Sequence, residues 1–257
     1  MNPFTPRIDA LDISLFESIA SQTSSGDRRS LLALQRTVAR SRGSYSYLEI
    51  GSHLGGSIQP HLVDDRCRKI YSIDPRPQFQ PDDRKPGYVA QYVDNSSERM
   101  LSLLRGIGHG DLGKIETIEA DASAVPPARI ADTPEIAFID GEHTYAASLS
   151  DFRFCMQVVS PTGIVVFHDF DIIFPAVAEA CRILEGQGRS HLPLKLEGGV
   201  FAIFLDPQLV HSDPYLAGLY AKNRRALPVY MMRARLRRIL PNRVVRAAIA
   251  ARNWMRG

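Results

Sequence analysis

Apolar positions along the chain fall into short β-type runs separated by stretches of helical period, an alternation that predicts an α/β fold. Tyr45–Ile50 (YSYLEI) reads as the first strand, and Ile70–Ile73, Lys114–Glu119, Ile136–Ile139 and Ile164–Phe167 as four more. Between them the spacing predicts helices from about Gly56 to Asp65, over Asn95–Leu104, over Ala146–Val159 and onward to about Gly186. In the third of these, Leu149, Phe152, Met156 and Val159 share one side. Leu192–Leu196 and Val200–Leu205, separated by Gly198 and Gly199, read as an antiparallel hairpin. Five strand–helix units closed by a hairpin predict a mainly parallel seven-stranded sheet with helices on both faces. Residues 9–42 carry a helical pattern of their own, Leu11, Leu15 and Ile19 and then, after the TSSGD break, Leu31, Leu34 and Val38. Pro75 to Tyr92 holds prolines at 75, 77, 81 and 86 without a clean period, and reads as a long loop of the kind that often forms a lid. The expected organisation is a helical preface over 1–44, a core over 45–206 and an extension over 207–257.

The first strand carries the most telling chemistry, because it ends on an acid and opens into small residues: YSYLEIGSHLGGS over 45–57. In a strand–turn–helix unit Gly51 and Gly55 let backbone approach a ligand, and the helix start offers free N–H groups. Glu49 would repel a pyrophosphate but welcome the ammonium of an amino-acid moiety, directly or through water. The E-x-G-x-x-x-G spacing over 49, 51 and 55 therefore points to S-adenosylmethionine (SAM) rather than NAD, whose turn reads G-x-G-x-x-G. Asp74 ends the second run, where a doubly wound fold places the group that hydrogen-bonds a cofactor ribose; a solvated loop aspartate before a Pro-rich turn has the same signature. By position Asp121 would meet the adenine amine, with Ala122 and Ser123 offering backbone, although a plain turn aspartate reads identically.

Composition narrows the setting. The 257 residues are 44% hydrophobic, enough to bury a full core. Three scattered cysteines, Cys67, Cys155 and Cys181, indicate neither a disulfide framework nor a zinc cluster, and point to a reducing cytoplasm. The N-terminus lacks a signal-peptide pattern and no run approaches the roughly 20 apolar residues of a spanning helix, so a soluble or peripherally attached protein is expected. The net charge of +3 hides an asymmetry: residues 1–213 hold 20 Lys and Arg against 28 Asp and Glu, whereas 214–257 hold 11 Lys and Arg and no acid. The chain is an acidic body with a basic tail.

FIDGEHTY followed by SPTGIVVFHD resembles the class I SAM-dependent methyltransferases, over roughly residues 45–205. Within that family these blocks are most similar to the metal-assisted bacterial O-methyltransferases, including the macrocin-type sugar enzymes, and to the related cephalosporin hydroxylase. The YLEIGSHLGGS turn also resembles catechol O-methyltransferase without a gap. The resemblance implies a Rossmann-like methyltransferase fold and SAM contacts from Glu49, Gly51 and Ser57; Ser52, Gly55 and Asp140 complete the candidate cofactor set with Asp74, Asp121, Ala122 and Ser123.

Asp140 ends the fourth strand, and His168 and Asp169 end the fifth. Adjacent parallel strands bring those ends together at the carboxyl edge, where ligands sit. Two carboxylates and an imidazole suit Mg²⁺, or Mn²⁺ or Fe²⁺. Such an ion would hold two substrate oxygens and lower the pKa of the attacking hydroxyl. The competing reading is that His168 and Asp169 only bond loop backbone. The catechol-type enzymes place Asp, Asp and Asn here, so His168 departs from their pattern. His143 falls where those enzymes place a lysine base, and its near-neutral pKa suits proton acceptance. Asp171 is a spare ligand, and Tyr145 a residue that packs or caps the following helix.

After Asp213, PVYMMRARLRRILP sets Val229, Met232, Leu236, Ile239 and Leu240 against Arg233, Arg235, Arg237 and Arg238, and a second segment repeats the mix with Trp254. This tail fits a packed extension or homodimer element first and a contact with an anionic inner-membrane surface second. Nucleic acid is least favoured, since no aromatic platform accompanies the arginines. Together these features predict a SAM-dependent O-methyltransferase acting on a hydroxyl of a sugar, glycan or natural-product small molecule. A metal-dependent hydroxylase on the same scaffold and a non-catalytic adaptor docking through the tail are the alternatives.

Overall fold

The structure, a computed structural model, describes residues 2–239, the side chains of 235–239 excepted. Its nine strands are β1 (Tyr45–Ile50), β2 (Cys67–Ile73), β3 (Phe79–Pro81), β4 (Val89–Gln91), β5 (Ile115–Ile118), β6 (Ile136–Ile139), β7 (Ile164–Phe167), β8 (Leu192–Lys195) and β9 (Phe201–Phe204). Seven of them form one sheet in the order β5-β2-β1-β6-β7-β9-β8, parallel except where β9 pairs with β7 and β8. Every residue of β1 is buried, as expected of a strand with neighbours on both edges and helices on both faces.

The helices are α1 (Phe4–Asp9), α2 (Ser25–Arg42), α3 (Gln59–Val63), α4 (Ser97–Gly106), α5 (Tyr145–Val158), α6 (Phe170–Gly186), α7 (Gln208–Ser212), α8 (Pro214–Asn223) and α9 (Ala226–Ile239). α2 begins in a capping box, in which the Ser24 side chain accepts from Asp27 N and the Asp27 carboxylate accepts from Ser24 N. Its Leu31, Leu34 and Val38 join Tyr47, Phe138 and Val166 of the sheet, and Leu209 and Leu216 of α7 and α8, in one apolar cluster. The opposite sheet face packs Leu48, Ile139 and Phe167 against Phe152 of α5 and Val177 of α6. Fully burying each such side chain stabilises the fold by about 1.5–3 kcal/mol.

Three expectations need correction. The periodic stretch over Leu11–Ile19 is not helical throughout: Leu11 has φ +57°, and only a short 3₁₀ turn over Ile13–Phe16 follows, although Leu15 and Ile19 are buried. The helix expected from Gly56 to Asp65 shrinks to the five residues Gln59–Val63, after a segment that turns through left-handed backbone at His53 (φ +43°) and Gly55 (φ +81°). The loop over 75–92 contains the antiparallel hairpin β3–β4, whose three-residue strands are too short to show a period.

The first part of the basic tail packs on the core through Leu227 and Tyr230, whose ring meets Phe170 edge-on at 4.8 Å, while Met232 stays exposed. The side chains of Leu236, Ile239 and Leu240, their flanking arginines and the segment with Trp254 lie outside the described residues. Among the described residues no helix is long and apolar enough to cross a membrane, and all three cysteines are free and buried.

Candidate active site

A cavity of about 180 Å³ opens at the carboxyl ends of β1, β2, β6 and β7. It spans the β1–β6 junction, where the strand order reverses direction and doubly wound sheets bind their ligands. The loop after β1 contributes Gly51, Ser52, His53, Leu54, Gly56 and Ser57, and β2 contributes Asp74. Asp140 and His143 follow β6, and His168 and Asp169 follow β7. Two contributors carried no sequence motif: Ala20–Thr23, from the turn before α2, and Gln80, Arg84 and Tyr92, from the β3–β4 hairpin.

The glycine-bearing turn is built for close packing. Gly51 has φ +88°, and a Cβ there would stand 2.3 Å from the Asp140 carbonyl oxygen. The approach that excludes a side chain is therefore to the end of β6. Gly55 does not line the cavity; its missing Cβ leaves room for Met100 of α4. Glu49 is fully buried and accepts from Ser57 Oγ at 2.5 Å and from the Tyr47 hydroxyl at 2.9 Å. Burial pushes its pKa up to about 8, against the two hydroxyl donors. Glu49 itself does not line the cavity, whereas Ser57, which holds it, does.

Asp74 is buried at the cavity wall, where it accepts from His53 N at 2.9 Å and from Arg76 N at 2.7 Å. Ser52 accepts from the Ser72 hydroxyl at 2.8 Å beside it. Asp121, Ala122 and Ser123 are not brought into the cavity. Asp121 caps a short 3₁₀ turn by accepting from Ser123 N at 2.8 Å, the geometry of a plain turn.

At the other end of the cavity, Asp140, His143 and His168 each present a ligand-type atom within 4.8 Å of the others, the cluster of that kind among the described residues. His168 Nδ1 lies 3.0 Å and His143 Nε2 lies 3.3 Å from Asp140 Oδ1. Burial opposes ionisation of Asp140, but the two imidazoles outweigh it and bring its pKa down to about 2. His168 is pushed well above its ordinary value: burial disfavours the cation, and the Asp140 and Asp27 carboxylates overcome it. His143 is raised in the same way, chiefly by Asp140 against the cost of burial.

The donor set differs from the expected Asp140, His168 and Asp169. His143 takes the third place, while Asp169 Oδ2 turns to His143 Nδ1 at 3.3 Å and to Arg84 at 3.5 Å. Asp171 is no spare ligand; it accepts from the Tyr230 hydroxyl away from the cavity. Tyr145 opens α5, and its N–H donates to Asp83 at 2.9 Å. Asp83 N also donates to the His143 carbonyl at 3.0 Å and Asp82 lies 3.2 Å from His143 Nδ1, so the β3–β4 hairpin is docked directly on the β6–α5 loop.

A family model described as a methyltransferase domain matches residues 48–170, from β1 across the cavity wall to the His168–Asp169 pair. Residues 48–170 form a methyltransferase domain. The structure is similar to that of the O-methyltransferase NovP (16% identity, TM-score 0.57, covering 78% of this chain and 98% of that one). It is also similar to the calicheamicin methyltransferase CalS11 (17%, TM-score 0.51, 78% and 91%). A third similar structure is MycE of the mycinamycin biosynthetic pathway, in complex with Mg and SAH (16%, TM-score 0.50, 79% and 56%). At such identities these likenesses establish the fold of the methyltransferase. An uncharacterized protein of Acanthamoeba polyphaga mimivirus is 25% identical over 162 residues, which is 59% of this chain; the match spans 65% of that protein's length.

Proposed function

We propose that the methyltransferase transfers the SAM methyl group to a hydroxyl of a small polar acceptor, a sugar, glycan or related natural product, with help from a divalent cation. One observation carries this reading: a buried carboxylate–imidazole cluster shares a cavity with the SAM-type turn. The donors fit a cation, because Asp140 and both histidines converge on one point and each histidine's far nitrogen faces a second carboxylate, Asp82 or Asp27. Asp140, His168 and His143, with Asp169 alongside, would hold the ion. When bound, such an ion supplies a Lewis acid that lowers the pKa of an acceptor hydroxyl. MycE, of similar fold, is described with Mg and SAH together.

The chain's own residues account for the rest. Ser57, Ser52 and Asp74 line the donor end, where they would hold the SAM amino-acid and ribose groups. Ser21, Gln22, Thr23 and Gln80 give the remaining wall a polar character suited to a hydroxylated acceptor. In-line methyl transfer needs little from the protein beyond position and a place for the proton. His143 stands close enough either to hold the ion or to take that proton, and His143→Gln separates the roles: lost cation affinity marks a ligand, lost turnover with affinity retained marks a base. The test of the proposal is SAM turnover over a panel of hydroxylated acceptors with Mg²⁺ or EDTA. Turnover that EDTA abolishes supports it; cation-independent turnover that survives Asp140→Ala contradicts it.

A second reading rests on one specific feature. Two histidines and one carboxylate are also the donor set of non-haem Fe(II) oxygenases. A strong preference for Fe²⁺, with no SAM consumption, would favour a hydroxylase.

A further inference from the structure

The preface reaches the active-site cluster through one side chain. Asp27 sits in the first turn of α2, 4% exposed, and its carboxylate has three neighbours. Oδ1 accepts from Gly199 N at 2.6 Å and Oδ2 accepts from Ser24 N, also at 2.6 Å. The third neighbour is His168 Nε2, 3.5 Å from Oδ2, a charge contact too long and oblique for a well-formed hydrogen bond. His168 Nε2 is buried and has no other partner. The ring is thus suspended between two carboxylates from distant parts of the chain, Asp140 at Nδ1 and Asp27 at Nε2.

The surroundings hold Asp27 in that place. Gly198 (φ +65°) packs so closely that a Cβ would come within 2.0 Å of Asp27 Oδ1. The same turn is tied to α2 by the Arg29–Glu197 pair at 2.8 Å and by the Ser30 hydroxyl, which donates to the Glu197 carbonyl at 3.1 Å. Gly199 in turn accepts from Phe170 N at 2.9 Å, two residues beyond His168. A helix cap alone would need none of this, since Ser24 and Asp27 satisfy each other without the β8–β9 turn.

We propose that Asp27 is a positioning residue: its carboxylate keeps the proton of His168 on Nε2 and so leaves Nδ1 free to face the cavity beside Asp140. This inference rests on the cation-assisted reading of the site. A carboxylate behind a metal-binding imidazole selects its tautomer and strengthens it as a donor, and losing one typically costs 10–100-fold in metal affinity. In Asp27→Asn the amide oxygen can still accept from Gly199 N, but the amide nitrogen replaces Oδ2: it gives up the bond from Ser24 N, and its N–H groups face His168 Nε2 as donors and drive the proton to Nδ1.

The test is Mn²⁺ titration of the full chain, with SAH binding measured in parallel, on wild type, Asp27→Asn and Ser24→Ala. Ser24→Ala removes the acceptor for Asp27 N while sparing the carboxylate, so it lowers Tm through the cap alone. Asp27→Asn should weaken Mn²⁺ binding about 10–100-fold with SAH affinity unchanged, and Ser24→Ala should leave Mn²⁺ binding as in wild type. Equal Mn²⁺ affinity in wild type and Asp27→Asn, or equal losses in both variants, overturns the proposal while the cation reading stands. No Mn²⁺ binding by wild type overturns both. A further measurement needs no variant: with Mg²⁺ bound, long-range ¹H–¹⁵N spectra of wild type should show His168 protonated at Nε2, and protonation at Nδ1 overturns the proposal.

Discussion

Replacing Glu49 by Gln tests the buried half of the SAM-type turn. The carboxyl is fully enclosed with two hydroxyl donors, Ser57 and Tyr47, and burial lifts its pKa from an ordinary 4.5 to about 8. That difference of 3.5 is roughly a 3,000-fold change in proton affinity, or at most ~5 kcal/mol. The sign follows from the raised folded value. The neutral acid stabilises the native state fully below pH 4.5, and this contribution is lost as pH rises through about 8. Gln keeps the size and hydrogen bonds but does not titrate. Urea unfolding of both proteins from pH 4.5 to 9 should therefore show wild type losing stability relative to Glu49→Gln by ~1.4 kcal/mol per pH unit in mid-range, then levelling above pH 8. A cationic ligand group beside Ser57 would favour the ionised form, so SAH binding at pH 7 should release up to about one proton in wild type and none in the variant. Parallel stability profiles for the two proteins would show that burial does not raise the Glu49 pKa.

Gly51→Ala should cost ~2 kcal/mol or more in stability and abolish SAH binding, because a Cβ meets the Asp140 carbonyl oxygen at 2.3 Å on a backbone of φ +88°; a wild-type Tm and SAH affinity would show that the turn relaxes. Asp83→Ala removes the acceptor for Tyr145 N and should loosen the β3–β4 hairpin by ~1 kcal/mol. Hydrogen exchange over 79–91 should then quicken about five-fold, and an unchanged pattern would mean that the hairpin is held elsewhere.

Where an apolar run is clearly bounded, the sequence alone located the element: Ile136–Ile139 and Ile164–Phe167 match the structure to the residue, and the helix expected to about Gly186 does end there. The convergence of Asp140 and His168 was legible because both end parallel strands that pair directly. His143 as a member of the donor set was not, since its place depends on how the β6–α5 loop folds back under Asp82. Glu49 illustrates a different limit: its spacing marks the turn, but only the packed structure shows Ser57 and Tyr47 enclosing it. Asp27 lay beyond motif reading altogether, because its partner is 141 positions away and its local signature is that of an ordinary helix cap.

On the proposed function, the cavity at the β1–β6 junction binds SAM with Asp74 at its wall. Isothermal titration of the purified protein with SAH, beside Asp74→Ala, tests it most directly. One-to-one binding that weakens at least about ten-fold in the variant, as loss of a charged hydrogen-bond partner of the ribose requires, is the predicted result. Absence of SAH binding in wild type, or equal affinity in the two proteins, would contradict it.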